Sequence, residues 1–293
     1  MTKITCFGEV LWDIFPNHKK IGGAPLNVAI RLQSLKNNIS LISSIGNDTE
    51  GREIIEFIKE QGINAECIQI NQTLKTGTVH VLLNQKGSAS YDIKFPRAWD
   101  YVQLTKNAIK VVKDSDAFIF GSLITRNDSS RDTLYALLEL ARFKIFDVNL
   151  REPYYTPEIL HYLMIKANFI KFNDEEIFEI AKMLDSKTQS LEQNILFIAK
   201  QTDTQSICVT KGRHGAILYY NKTFYYNSGY QIIVVDTVGA GDSFLASLIN
   251  KLLKGVSPQE AIDFACAVGA LVASREGANP QISEQDVNEL VNP

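Results

Sequence analysis

The chain has 293 residues, 45% of them hydrophobic and 22% charged, with a formal net charge of −3 at pH 7. Such a length holds one large α/β domain with an appendage or two ordinary domains, and such a balance supports a sizeable buried core. With no basic surplus to neutralise a phosphate backbone and no run of about 18 apolar residues, neither nucleic acid nor a membrane is an expected partner. In chain order, Ile4 to Val10 reads as a strand and Ala24 to Lys36 as a helix. Ile39 to Ile45 is a strand, and Glu50 to Gln61 a helix with Ile54, Ile55 and Ile58 on one face. Asp116 to Phe120 and Lys144 to Val148 are short apolar strands flanking the helix Asp128 to Arg142. Phe169 to Phe172, Ser206 to Thr210, Ala216 to Tyr220 and Gln231 to Val235 continue the strand series. Two long helices, Ala240 to Leu253 and Pro258 to Ser274, close it. Alternation of this kind implies an α/β fold with a mostly parallel central sheet and helices on both faces.

Gly77 to Phe95 breaks the rhythm, with two strand-like halves around the turn-rich Asn84-Gln85-Lys86-Gly87. This reads as a β-hairpin, either a lid or an oligomer contact through which a homodimer would form, or else an ordinary antiparallel edge of the main sheet. No internal repeat, low-complexity tract or long linker divides the chain. It is therefore expected to be a single domain over 1–293 with the insertion at about 77–97. The opening from Met1 to Glu9 lacks the apolar run of a signal peptide, so a cytoplasmic location is expected. Cys6, Cys67, Cys208 and Cys266 share no Cys-x-x-Cys spacing and read as reduced, mostly buried thiols. His18, His80, His161 and His214 are scattered, which argues against a His/Cys metal cage.

The most informative segment is Asp236-Thr237-Val238-Gly239-Ala240-Gly241-Asp242-Ser243-Phe244. Gly239 and Gly241 permit a tight turn at the start of a helix, where the N–H groups of Gly239, Ala240 and Gly241 would meet an anion. Asp242 would repel a resting phosphate, so a general base facing a hydroxyl nucleophile suits it. The structural alternative is a glycine turn with Asp242 as helix cap. No Gly-Lys-Ser/Thr follows, so this is not a P-loop. In the N-terminal half, Gly8-Glu9-Val10-Leu11-Trp12-Asp13 and Gly22-Gly23-Ala24-Pro25-Leu26-Asn27 combine paired glycines with Asp13 and Asn27. These side chains can accept from and donate to neighbouring hydroxyls, or serve merely as caps.

Together these motifs resemble the ribokinase (PfkB-type) family of carbohydrate kinases. The resemblance runs in the family's order over nearly the whole chain. It implies a three-layer ribokinase-like fold with a small β-hairpin lid, with ATP and a small sugar as partners. It also implies Asp242 as catalytic base, with Gly239, Ala240 and Gly241 forming the anion hole. Asp13, Gly23 and Asn27 would hold the sugar. Asn173 and Glu176 match the family's Asn-x-x-Glu motif, Glu176 acting on Mg²⁺ through water, although an N-cap with Glu at the third position reads equally well. Thr210, Gly212 and Gly215 resemble the turn that lies along the nucleotide, with Lys211 or Arg213 reaching phosphate or simply solvated. Asp236, Val238 and Gly277 resemble a site for a monovalent cation such as K⁺. Gly46 to Gly51 resembles a family turn that caps the next helix.

Asp147-Val148-Asn149-Leu150-Arg151 resembles the Asp-x-Asn-x-Arg segment of bacterial fructokinases and 2-keto-3-deoxygluconate kinases, which implies Asn149 and Arg151 at the sugar. Arg97 would close over the substrate after the hairpin. It is the only arginine near the hairpin, which tilts the expectation toward a neutral ketohexose, fructose, over the acidic sugar. Two other classes compete: a non-catalytic sugar-binding regulator on the same fold, and a dinucleotide enzyme, whose Gly-x-Gly-x-x-Gly is missing after the first strand.

Overall fold

The computed structural model describes residues 1–83 and 89–292. β1 (Lys3–Phe7) leads through Gly8, Glu9 and Val10 into β2 (Leu11–Ile14) and β3 (Lys19–Gly22). Then come α1 (Ala24–Ser34), β4 (Asn38–Gly46), α2 (Thr49–Glu60), β5 (Ile68–Asn71), β6 (Gly77–Leu83) and β7 (Ala89–Ile93). The middle of the chain forms α3 (Lys106–Asp114), β8 (Ala117–Gly121), α4 (Asp128–Leu138), β9 (Lys144–Asp147), α5 (Pro157–Lys166), β10 (Phe169–Asn173), α6 (Asp174–Met183) and α7 (Leu191–Thr202). β11 (Ser206–Thr210), β12 (Ala216–Tyr220), β13 (Thr223–Asn227), α8 (Ala240–Leu253), α9 (Pro258–Ala273) and α10 (Glu284–Val291) complete it.

Nine strands make one sheet in the order β13-β12-β11-β10-β9-β8-β1-β4-β5. β11 to β5 across this order run parallel, and β12 and β13 add an antiparallel edge. Because successive strand residues face opposite ways, the sheet feeds two cores. Phe7, Phe118, Phe120, Phe146 and Phe172 pack with Val112, Leu134, Leu163, Ile177 and Ile198 of α3 to α7 on one face. Ile4, Cys6, Ile119, Ile145 and Phe169 pack with Leu26, Ile54, Leu245 and Ile262 of α1, α2, α8 and α9 on the other. These are the three layers expected from the strand–helix alternation. All four cysteines are buried and free. The Gly46–Gly51 turn does cap a helix: Asp48 accepts the Gly51 N–H at 2.8 Å and opens α2.

The hairpin is not an edge of the main sheet. β6 and β7 pair antiparallel within a separate four-stranded sheet, ordered β3-β2-β6-β7. Its tip, Asn84 to Gly87, lies outside the described residues. The first strand ends earlier than expected, at Phe7, and the chain crosses into β2, which pairs with β3 and, in parallel, with β6. The expected strand Gln231 to Val235 does not form. Its β-branched residues have no partner strand, and Ile233 is 86% exposed. After β13 the chain has left the sheet, and the N–H groups of Val235 and Asp236 turn instead to the Ala273 carbonyl at the end of α9.

Candidate active site

The conspicuous residues gather outside the carboxyl ends of β1, β8, β9 and β10, with the four-stranded sheet alongside. In open α/β sheets ligands bind at that end of the strands. α8 starts there. Gly239 is its N-cap with φ +74°, and a Cβ at that position would sit 2.4 Å from the Ala278 carbonyl, so glycine is required on both counts. Ala240 N–H donates to the Thr237 carbonyl at 3.3 Å. The N–H groups of Gly239, Gly241 and Asp242 have no acceptor among the described residues, so the unpaired donors of this helix end are those three rather than the expected set containing Ala240. Lys171 Nζ lies 3.6 Å from where a Gly241 Cβ would be, so a cation faces the same turn.

Asp242 sits in the first turn of α8 but does not cap it. Its Oδ2 accepts from Asn27 Nδ2 at 2.8 Å, and Asn27 Oδ1 accepts from Asn279 Nδ2 at 3.0 Å. Asn27 is buried in α1 and caps nothing; the N-cap of α1 is Gly23. Burial and the nearby Asp147 push the Asp242 carboxyl up to about 6, against the Asn27 hydrogen bond and the charges of Lys171 and Arg151, which pull it down. A base with that pKa is ionised at neutral pH yet basic enough to take a proton.

Lys171 is a charged residue at a core position. It lies on β10 two residues after Phe169, on the α8 side, and pairs with Asp147 at the end of β9 at 2.9 Å. Burial favours the uncharged amine; the carboxylates of Asp147, Glu176 and Asp242 outweigh that and hold it charged. Asn173 and Glu176 form a full capping box at the start of α6: Asn173 Oδ1 accepts the Glu176 N–H at 2.8 Å, and Glu176 Oε2 accepts the Asn173 N–H at 2.7 Å. Glu176 Oε1 also accepts the Leu150 N–H at 2.9 Å, which ties the Asn149–Arg151 loop to the same helix start. Thr210 closes β11 with its hydroxyl on the Phe172 carbonyl at 3.3 Å. Gly212 and Gly215 follow at φ +53° and +76°. Gly215 is locked against Asn227, whereas Gly212 faces open space. Arg213 and His214 are exposed.

On the sugar side, Asp13 is carried by β2 opposite Lys20 of β3, and its carboxylate reaches along to Gly22, where any Cβ would meet its Oδ2 at 2.3 Å. Gly23, at φ +114°, lies against the Glu9 carbonyl in the same way. Burial raises Asp13 to about 6 and Glu9 to about 7, in each case opposed by the charge of Arg151 and reinforced by that of Asp242. Glu9, Asp13, Arg151 and Asp242 therefore share one neighbourhood. Arg151 is exposed, one guanidinium nitrogen resting on the Leu150 carbonyl at 2.8 Å. Asn149 adopts φ +41° and lines a small cavity with Glu9 and Asp147. Arg97 is half-buried at the end of the β7 connection, with one nitrogen on the Pro96 carbonyl at 2.9 Å. Beneath it runs a buried pair that the sequence patterns do not flag: Arg126 to Asp100 at 2.6 Å, the guanidinium stacked 3.9 Å from the Trp99 ring. Arg126 and the Tyr154 hydroxyl hold the Lys94 and Ile93 carbonyls, which anchors the root of the β6–β7 hairpin.

Asp236 stitches two segments. Oδ1 accepts the Val238 N–H at 3.0 Å and Oδ2 the Gly277 N–H at 3.1 Å. The carboxylate is thereby committed to N–H donors. The main-chain carbonyls of Asp236, Val238 and Gly277 accept no hydrogen bond among the described residues, so the donor set suits a large monovalent cation. Glu176, with both oxygens already engaged by N–H groups, suits contact with Mg²⁺ through water rather than direct ligation.

A helix start with unpaired N–H groups, a buried carboxylate of raised pKa and a polar pocket beside a second sheet are the parts that a phosphotransferase acting on a hydroxyl would need. The pfkB family carbohydrate kinase model matches residues 1–285, and the chain belongs to that family. It is an ATP-dependent carbohydrate kinase with the ribokinase-like fold. Fructokinase from Escherichia coli is 26% identical over 296 residues, covering 94% of each chain. The sugar kinase PH1459 from Pyrococcus horikoshii in complex with ATP superposes with a TM-score of 0.85 at 26% identity, covering 98% of this chain and 99% of that one. A fructokinase from Vibrio cholerae O395 bound to fructose, ADP and potassium has the same fold, with a TM-score of 0.84 at 23% identity, covering 100% of this chain and 99% of that one.

Proposed function

We propose that this kinase is a fructokinase that transfers the γ-phosphoryl group of ATP to a primary hydroxyl of fructose, with Asp242 as the base. The observation that carries the reading is the Asp242 carboxylate, raised to about 6 and placed among unpaired N–H groups at the start of α8. ATP lies across Asn173, Thr210, Gly212 and Gly215, with its γ-phosphate at Gly239–Asp242. The sugar lies among Asp13, Gly23, Asn27, Asn149 and Arg151, with Arg97 and the β6–β7 hairpin closing over it to exclude water. As the sugar oxygen attacks phosphorus, its proton passes to Asp242 and the bond to the leaving ADP oxygen breaks. The free N–H groups and Lys171 meet charge that develops on the phosphoryl oxygens. Mg²⁺, which Glu176 would hold through water, would supply charge neutralisation at the transferring phosphoryl group. A monovalent cation at the carbonyls of Asp236, Val238 and Gly277 would fix the loop beside the anion hole.

Fructokinases among the curated relatives, at 26% identity, support the choice of sugar. Arg151 beside Asp13 gives an acidic sugar some purchase, so 2-keto-3-deoxygluconate is the rival acceptor. Coupled ATP turnover with Mg²⁺ and K⁺ against fructose, ribose, 2-keto-3-deoxygluconate, adenosine and fructose phosphates tests this. A strong preference for fructose is expected. Preference for another acceptor would overturn the sugar assignment and leave Asp242 in place; no turnover with any would favour a sugar-binding regulator.

A further inference from the structure

Two side chains of α1, one turn apart, reach from α8 to the loop after α9. Asn27 joins Asp242 to Asn279 at 2.8 and 3.0 Å. Arg31 joins Ser243 Oγ to the Pro280 carbonyl at 3.1 and 2.9 Å. Adjacent residues of the helix are thus tied, rung by rung, to adjacent residues of the loop. The polarity of the first rung is dictated chemically. An ionised carboxylate only accepts, so Asn27 must present Nδ2 to it. Its Oδ1 then faces away and needs a donor, which Asn279 supplies. Turned over, the Asn27 amide would set an oxygen against Asp242, and Asn279, whose Oδ1 has no partner among the described residues, would have to turn with it.

We propose that Asn279 is a positioning residue for the base: by donating to Asn27 Oδ1 it holds the amide with its N–H₂ end on Asp242. Asn279 belongs to the loop in which Gly277 binds Asp236 and Ala278 packs on Gly239. Whatever sets that loop therefore also sets the hydrogen bond on the base. Asn27 keeps one N–H and one lone pair for substrate, so the relay does not compete with its place in the sugar pocket. The other groups facing Asp242 are Asp147 from β9, Lys171 from β10, Arg151 from the loop after β9, Glu9 from the β1–β2 connection and Asp13 from β2. None of them hydrogen-bonds to Asn279 among the described residues, so a substitution there leaves their charges in place.

The proposal rests on Asp242 being the base, and its test has one readout that needs no turnover. The Asp242 carboxyl is titrated by ¹³C NMR in the full chain without substrate, and the acid limb of kcat/KM is measured with the best sugar. Asn279→Leu matches the volume of the amide and removes the donor. It is expected to raise both midpoints by about one unit, a tenfold gain in proton affinity. KM for ATP should stay unchanged, and Asn279→Gln should restore most of the shift. A general loosening of the loop would lower the melting temperature without moving the NMR midpoint, and would not be rescued by glutamine. A folded Asn279→Leu protein whose midpoint moves by less than about 0.3 unit overturns the relay, as does a shift that glutamine fails to reverse. Should leucine not fold, Asn279→Ala carries the same expectation. A wild-type protein that titrates as described but phosphorylates no sugar counts against the kinase reading and not against the relay.

Discussion

Replacing Lys171 by methionine keeps the length of the side chain and removes its charge. Asp147, whose Oδ2 already lacks a partner, would then be buried with both oxygens unpaired. Breaking a buried ion pair from one side costs about 3–5 kcal/mol. At an unfolding entropy of about 2.1 cal/mol/K per residue, a chain of this length melts roughly 5–8 °C lower for that loss. Lys171→Met/Asp147→Leu removes both charges, and its melting temperature should return to within about 2 °C of the parent, since a buried pair replaced by apolar residues is close to neutral. Turnover should not return with it. Lys171 also faces the glycine turn of α8, and the loss of one donor to a developing oxyanion costs about 10²–10³ in kcat. The assays are thermal unfolding and coupled ATP turnover on the three proteins. A single variant that melts within about 1 °C of the parent would refute the buried-pair argument, and a double variant with restored kcat would refute the place of Lys171 at the phosphoryl group.

Asp242→Asn should lower kcat by about 10²–10⁴, the usual worth of a general base, while sugar affinity by calorimetry stays within a few-fold; retained turnover removes the base assignment. In the wild type, activity should fall as pH drops through about 6, because a base must be ionised and burial has lifted this carboxyl to that value. Glu9 titrates in the opposite sense for stability. Burial raises it from 4.5 to about 7, so the folded state binds its proton more tightly than the unfolded chain. Its ionisation therefore costs stability increasingly between those two pH values and by a constant amount above them. Glu9→Gln should stabilise the protein by roughly 3 kcal/mol at pH 8 and by nothing below about pH 4.5; a gap that is the same at both pH values would show that the effect is packing and not charge.

Most of the parallel strands were legible because each is a short apolar run between helical periods. Ser206–Thr210 and, on the antiparallel edge, Ala216–Tyr220 even keep their expected bounds. β5, with one buried residue of four, and β13 were missed. β2 and β3 were not legible either. Each has four residues that mix Trp12 and Ile21 with Asp13, Lys19 and Lys20, and the parallel partner of β2 starts only at Gly77. Nothing local distinguishes such a segment from a loop. Gln231 to Val235 failed the other way, since a β-branched run is a strand only where a neighbour offers a free edge.

The site divides along the same line. Gly239 could be read from sequence because its requirement is local, a left-handed turn at a helix start. Lys171 stood in view as a lysine at an inward position of an apolar strand, but only the fold shows that α8 begins above it. The Asp242–Asn27–Asn279 chain joins residues 215 and 252 positions apart, so no spacing rule reaches it. That long-range part decides how the chemistry can work. Burial and Asp147 push the Asp242 carboxyl further up than it ends. The opposing pull of Asn27, Lys171 and Arg151 returns it to about 6, and each of these arrives from a different element. The Asp242 pKa is therefore a property of the assembled layers, and a motif match at Asp236–Phe244 with Asn27 or Lys171 replaced would predict the fold without predicting the activity.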